Sequence, residues 1–427
     1  MREIVRYVTI RLPGAQKSVP AGILKLTEAG RQTLLSRFAY GRGFLRREGV
    51  IPVDPVSLPL DASSLGEELA PTSGLELFGA LRDATPDLWG RRVIENQLGA
   101  EPDSLPESIF LDRAGPHRAG ALGIQDKLDA DETPGALPGL MELEHLLEAA
   151  DRVADGLPVP AHLELFFAGA PSLGGARPKA LLESGGHQWI AKFPARDDPF
   201  DVPSIEHATL ELAREAGLAV PPTRLETLAD GRKVMLIQRF DRGSAESGYP
   251  KVHMISALTA LSAHEQDSSK MHYSDIARAI ERLGSRGNIQ ADRSELFGRM
   301  VFNILVSNDD DHLRNHAFLC NGAGGGWNLS PLYDVVPRPS ASHERFLHLG
   351  VGAQGRTSSL ENALSDCEQF GLSPADAARR IDGLARIVRE WRGSFETRGV
   401  AGQQMDRISS AFRRPSEIGM KQVERLL

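Results

Sequence analysis

The sequence predicts an α/β (α+β) chain built in three parts, and three observations predict it. The first third is broken by turn formers around short strand-like pieces. The middle runs loop, strand, helix, strands, and the remainder is patterned mainly as helix. At 427 residues the chain is too long for one ordinary core. Its 41% hydrophobic and 25% charged residues describe a soluble globular protein. The parts are expected at 1–160, 161–242 and 243–427.

In chain order, Ile4 to Leu12 reads as a strand, and Pro52, Pro55 and Pro59 punctuate the stretch after it. Asp129 to Gly139, with Pro134 and Pro138, reads as an exposed loop. Met141 to Val153 has helical spacing, and Gly156-Leu157-Pro158-Val159-Pro160 marks a junction. Gly169 to Lys179 is a loop of small residues. Trp189 to Phe193 is a short strand ended by Pro194. Ser204 is expected to cap a helix with Ile205, Ala208, Leu212 and Ala216 on its apolar positions and Gly217 at its end. Strands are expected at Thr223 to Leu228 and Val234 to Arg239.

Beyond them, Asp292 and Glu295 have capping-box spacing. The helix they open carries Leu296, Phe297, Met300, Val301, Ile304 and Leu305, and ends at Ser307-Asn308. Further helices are expected from Pro374 to about Phe395 and from Gln403 to Phe412.

The net charge of -8 argues against a protein that coats nucleic acid by itself. The two cysteines, Cys320 and Cys367, have no metal-site spacing, and a reducing cytosol is the simplest setting for them. Met1 to Arg6 lacks the apolar region of a secretory signal, and no run approaches the ~18 apolar residues of a membrane span. A cytoplasmic location is expected. No Gly-x-Ser-x-Gly or His-Glu-x-x-His is present, so serine hydrolases and zinc proteases lack their signatures.

Chemistry concentrates in Asn308-Asp309-Asp310-Asp311-His312-Leu313-Arg314-Asn315. Phosphoryl transfer needs a carboxylate to accept the proton of the acceptor hydroxyl, and oxygen ligands for magnesium. An Asp followed five residues later by an Asn is the catalytic-loop spacing of protein kinases, and Asp310 and Asn315 have it. The usual His-Arg-Asp triplet is absent. Asp334, in Ser330-Pro331-Leu332-Tyr333-Asp334-Val335, comes after a glycine turn at Gly322 to Gly326 and is the candidate second metal ligand. The plainer reading is three acidic residues in a solvated loop.

Ser172-Leu173-Gly174-Gly175-Ala176-Arg177-Pro178-Lys179 is the candidate phosphate cradle, although it is not a Walker A loop. Its glycines admit backbone N–H groups to phosphate oxygens, and Arg177 or Lys179 supplies charge. Lys192 stands in an apolar strand shortly after it, and Glu206 on the next helix is placed to hold that lysine. Gln238-Arg239-Phe240-Asp241 is a candidate adenine hinge. A connecting loop, an edge-strand lysine, a solvated glutamate and a core phenylalanine remain the alternatives.

Taken together, Ser172 to Lys179, Ile190-Ala191-Lys192-Phe193-Pro194, Gln238 to Asp241, Asn308 to Asn315 and Tyr333-Asp334-Val335 resemble the HipA family, the toxin kinases of type II toxin–antitoxin modules. Ala119 to Gly123 is similar to the Gly-Ala-Leu segment of the family's N-terminal domain. The resemblance implies a two-lobed protein-kinase-like fold with a mainly helical C-lobe and an additional N-terminal α/β subdomain. It implies Asp310 as base, Asn315 and Asp334 on magnesium, and Lys192 on the phosphates of ATP. Gly174, Gly175, Ala176, Arg177, Lys179, Glu206, Gln238, Phe240, His312 and Arg314 are then expected on the nucleotide side, with Ser172 the self-phosphorylated serine. Arg177-Pro178 departs from the family's Gln-Glu type pair, and Pro178 has no N–H to give a phosphate.

The partners so implied are a helix-turn-helix antitoxin, operator DNA through that complex, and a translation-related substrate such as an aminoacyl-tRNA synthetase. A kinase for small molecules or lipids, or a catalytically silent co-repressor, are the competing expectations.

Overall fold

Alternating side chains build the N-terminal sheet. In β1 (Arg2–Ile10), Ile4, Val8 and Ile10 point inward while Val5 stays exposed. β1 pairs antiparallel with β2 (Val19–Ala29) and β4 (Leu122–Gln125), and β2 pairs with β3 (Gln32–Tyr40), giving the order β3-β2-β1-β4. Gly22 of β2 is required there. A Cβ at that position would lie 2.4 Å from the Ala39 carbonyl oxygen and 2.5 Å from the Phe38 ring. The strands are longer than the short pieces expected, because their inner face also carries Gly22 and a buried acid, Glu28. Glu28 accepts hydrogen bonds from the Ser108 N–H and hydroxyl at the start of helix Glu107–Arg113.

The computed structural model describes residues 1–61, 64, 66–128, 135–172, 174–320, 322 and 326–427. The expected loop at Asp129 to Gly139, the cradle residue Leu173 and the turn at Gly322 to Gly326 therefore fall partly outside the described residues. The chain divides into two units. The first comprises Met1–Ala195, Leu236–Ser262 and Leu319–Gly326; the second comprises Arg196–Met235, Ala263–Phe318 and Trp327–Leu427. Among the described residues no helix is long and apolar enough to cross a membrane.

Within the first unit, helix Leu143–Ala154 comes directly after a short 3-10 turn at Leu140–Glu142. β5 (Lys179–Ser184) and β6 (His187–Lys192) form an antiparallel hairpin, and the Arg239 N–H beyond it donates to the Gln188 carbonyl. A buried ionic knot lies nearby. Asp241 accepts from Arg239, Arg242 and the Gly120 N–H, while the two arginines donate to the carbonyls of His117, Arg118 and Gly120. Burial opposes ionisation of Asp241, but the two arginines win and hold it far below the usual carboxylate range. Arg239 and Asp241 of the hinge motif thus serve the fold.

In the second unit, helix Val202–Glu215 corrects the expected cap. Asp201, not Ser204, stands at the N-cap, and its carboxylate accepts from the Ser204 N–H at 3.3 Å. Pro203 in the first turn has no N–H to leave unsatisfied there. Strand β7 (Thr223–Thr227) agrees with expectation within one residue, as does β8 (Lys233–Gln238), through which the unit boundary runs.

Helix Ile289–Val306 begins three residues before Asp292, at N-cap Asn288. Asp292 is instead turned to the Leu329 N–H, 2.9 Å away. This helix is buried continuously from Leu296 to Val306 and stops at Ser307, whose φ of 51° is left-handed. The helix expected over Pro374 to Phe395 is two, Pro374–Arg389 and Trp391–Thr397, broken at Glu390.

Candidate active site

The glycine loop of the first unit hangs from a helix that sequence reasoning overlooked. Asp87 is the N-cap of helix Leu88–Leu98, and its Oδ2 accepts from the Gly175 N–H at 3.0 Å. The Trp89 N–H donates to the Gly175 carbonyl at 3.0 Å, and its indole Nε1 donates to the Lys179 carbonyl at 2.8 Å. Pro86 before an Asp cap is a helix-start signal, but nothing in it announces a partner 88 residues ahead. Gly175 has φ +82°, a conformation that favours glycine. Lys179 Nζ donates to the Gly174 carbonyl at 2.6 Å, bracing the loop from its far side.

Lys179 and Lys192 are direct partners across β5 and β6, so both lie on one face of the hairpin, and both are buried. Gly174 and Ala176 are exposed and Arg177 is half-buried. Ser172 is the opposite: it is 8% exposed, and its hydroxyl donates to the Gly169 carbonyl at 2.7 Å. Gln238 sits within hydrogen-bonding reach of His187 Nδ1, 2.9 Å away, and Phe240 is half-buried.

The acidic loop of the second unit is organised around Asp311, the last residue of the acidic run. Asp311 is 1% exposed. Its Oδ2 accepts from the Tyr273 hydroxyl at 2.5 Å and Asn303 Nδ2 at 2.7 Å, and lies 2.9 Å from His316 Nε2. Burial alone would raise its pKa; the charge and hydrogen bond of His316, with Tyr273, outweigh that and bring it below the usual value. Tyr273 opens helix Tyr273–Leu283, and Asn303 lies on helix Ile289–Val306, so Asp311 ties the loop to both. Asn303 in turn accepts from Asn308 Nδ2.

This anchoring presents the predicted chemical residues. Asp310 is exposed, while its carbonyl accepts from the His312 N–H at 2.8 Å and from Asn315 Nδ2 at 3.1 Å. With its amide nitrogen so occupied, Asn315 keeps its oxygen for another partner. The Tyr333 hydroxyl donates to the Arg314 carbonyl at 2.7 Å, which brings the segment carrying Asp334 to the residue before Asn315. Asp334 itself has φ +61°, an unusual conformation for a residue with a side chain and one that clusters at functional sites.

An amide oxygen and a carboxylate form the donor set magnesium uses when substrate phosphates complete its shell, so the residues fit the ion. Arg314 pairs with Glu265 at 2.7 Å; the His312 ring packs edge-on against His348, with centroids 5.9 Å apart. Glu206 is buried on helix Val202–Glu215. Arg338, also unforeseen, reaches Asp309 and Asp310.

Comparison with known proteins points the same way. The HipA-like C-terminal domain matches residues 171–391. A Sinorhizobium fredii (strain NBRC 101917 / NGR234) protein named as a candidate kinase is 26% identical over 382 residues, covering 83% of this chain and 85% of its own. A Haemophilus influenzae protein with the same description is 27% identical over 177 residues, 39% of this chain and 50% of its own. Among solved structures, HipA of Shewanella oneidensis MR-1, in complex with HipB and its operator DNA, is similar with a TM-score of 0.66. The alignment covers 98% of this chain and 97% of that one at 17% identity, a likeness of fold. It bears out the expected α+β, kinase-like architecture.

Proposed function

The chain belongs to the HipA-like family of kinases, and from that premise we propose that it is a serine/threonine protein kinase, the toxin of a type II toxin–antitoxin module. The observation that carries this reading is the contrast between Asp310 and its neighbours. Its main chain is clamped by His312 and Asn315, beside the buried Asp311, while its carboxylate is exposed at the loop tip. A base of this kind is fixed at the root and carries its carboxylate at the protein surface, where a protein acceptor can compete for it.

In the reaction proposed, the hydroxyl oxygen attacks the γ-phosphorus of ATP, the bond to the β-phosphate oxygen breaks, and the hydroxyl proton passes to Asp310. Asn315 and Asp334 are the residues that would hold magnesium, which when bound neutralises charge on the phosphates. Lys192 is assigned to the nucleotide phosphates, supported by its buried place opposite Lys179. Glu206 is assigned to orient Lys192, and His312 and Arg314 are assigned to the nucleotide. Gly174 to Arg177 form the cradle, and Gln238 and Phe240 receive the adenine.

Ser172 is the proposed site of self-phosphorylation. A phosphate does not fit where its hydroxyl now lies against the Gly169 carbonyl, so modification requires the loop to open and leaves it unable to close. The added charge of about -1.5 to -2 then repels ATP from the same loop. The partner proposed is a helix-turn-helix antitoxin that carries the complex to operator DNA, consistent with this chain's own net charge of -8. The substrate proposed is a translation-related protein such as an aminoacyl-tRNA synthetase.

The test is mass spectrometry after incubation with magnesium-ATP, beside Asp310→Asn. The wild type should acquire phosphate on Ser172, with the variant slower by about 10²–10⁴-fold. Equal labelling of the two would remove Asp310 from the role of base.

A further inference from the structure

Four residues beyond Asp334, the Arg338 guanidinium turns back onto the catalytic loop. Its Nη2 lies 2.7 Å from Asp310 Oδ2 and its Nε 3.2 Å from Asp309 Oδ1, so one guanidinium bridges two successive carboxylates. The root of this side chain is tied down. The Arg338 N–H donates to the Ser307 carbonyl at 3.1 Å. Ser307 in turn donates its hydroxyl to the Ala411 carbonyl and accepts from Arg345 Nη1, each at 2.7 Å. The head is free to swing: the Arg338 and Asp310 side chains are 53% and 57% exposed.

A carboxylate that is to take a proton from a hydroxyl must offer it a lone pair, and here the Oδ2 of Asp310 already accepts a charge-assisted hydrogen bond. We propose that Arg338 is a latch on the catalytic carboxylate, holding the seat of the acceptor hydroxyl in the resting enzyme and yielding it when an acceptor binds. The inference rests on Asp310 being the base. Arg338 is not needed to position that base, because His312 and Asn315 already fix its main chain. The strength of the contact suits a latch. A half-exposed ion pair shifts an equilibrium by about fivefold at most, enough to fill an empty seat and too little to resist a bound protein.

The experiment compares the wild type, Arg338→Ala, Arg338→Lys and Asp310→Asn as full chains. It measures initial rates of phosphoryl transfer from magnesium-ATP, to casein and to water together, at rising casein and rising salt. Arg338→Ala should lower KM for casein by about threefold to fivefold, leaving kcat and KM for ATP unchanged. The wild type should approach the variant as salt screens the exposed pair, and the variant should gain nothing from salt. Arg338→Lys keeps a point charge without the fork and should fall between them.

If Arg338→Ala is no faster than the wild type at low casein, including no rate in either, the latch is overturned. A lower kcat would make Arg338 a residue that positions the base productively, which also overturns it. Asp310→Asn separates the two levels: activity equal to wild type there removes the base itself, whatever Arg338 does.

Discussion

The catalytic loop and the glycine loop are held in opposite ways. The first is moored by a fully buried carboxylate, Asp311, with Tyr273, Asn303 and His316 around one oxygen. The second is moored through its backbone, by Asp87 on an N–H and by Lys179 and the buried Trp89 on carbonyls, the Asp87 and Lys179 contacts being only part-buried. Disturbing a buried, hydrogen-bonded charge strands all of its partners, whereas a part-buried backbone contact contributes only about 1 kcal/mol. In the reaction proposed, the difference would separate two demands of phosphoryl transfer: fixed geometry at the base, and a cradle held less firmly.

The largest effect that would break this comparison is expected from Asp311→Ala. It removes the shared acceptor of three buried polar partners, of which only Asn303 and Tyr273 still bond each other, and should cost about 3–5 kcal/mol in urea unfolding. A loss below ~1 kcal/mol would mean that the catalytic loop is not moored at Asp311.

The next test is acid. In the unit that carries the glycine loop, burial pushes His117 and His253 down to about 4, from about 6.5 when unfolded. Both fold neutral, so the stability they contribute is complete above pH ~6.5 and is lost as pH falls to about 4. The loss is on the order of 3 kcal/mol for each. Asp311, held below the ordinary carboxylate value, keeps its contribution above pH ~4 and loses it only below. Fluorescence of Trp89 and Trp189, recorded in a variant with Trp327 and Trp391 replaced by Phe, should therefore change between pH ~6.5 and ~4.

A smaller effect sharpens the cradle side of the comparison. Gly175→Ala forces a side chain onto φ +82° and sets its Cβ 2.6 Å from Lys179 Nζ. It should destabilise the loop by about 1–2 kcal/mol and speed limited proteolysis near residue 175, with the proteolysis of the catalytic loop unchanged.

Legibility in the sequence tracked distance along the chain. The short polar stretch holding Asp310 and Asn315 was readable as a loop because it follows an apolar helix that ends where expected, at Ser307. The short strands β6 and β8 were readable because their apolar residues are unbroken, and β7 because Pro221-Pro222 before it and Gly231 after it bound a stretch that alternates. The task of Asp311 was not, since Tyr273 lies 38 residues earlier on another helix. The Asp87 contact escaped for the same reason, and a surface arginine such as Arg338 has no pattern to mark it. Helix starts failed locally. Asp201 outcompeted Ser204 because Pro203 sets the first turn, and Asp292 was drawn to a loop N–H instead of its own helix end. In β2, Gly22 and the buried Glu28 disguise an otherwise regular alternation.

The knot of Arg239, Asp241 and Arg242 has a consequence for synthesis. The Gly120 N–H and the carbonyls of His117, Arg118 and Gly120 find their partners 121 to 124 residues later in the chain. On a ribosome adding about 5–20 residues per second, those groups wait roughly 6 to 24 s for the arginines to emerge. The four strands of the N-terminal sheet are complete by residue 125, so for that interval what waits is the 117–120 segment beside β4, its polar groups without their later partners and within reach of chaperones.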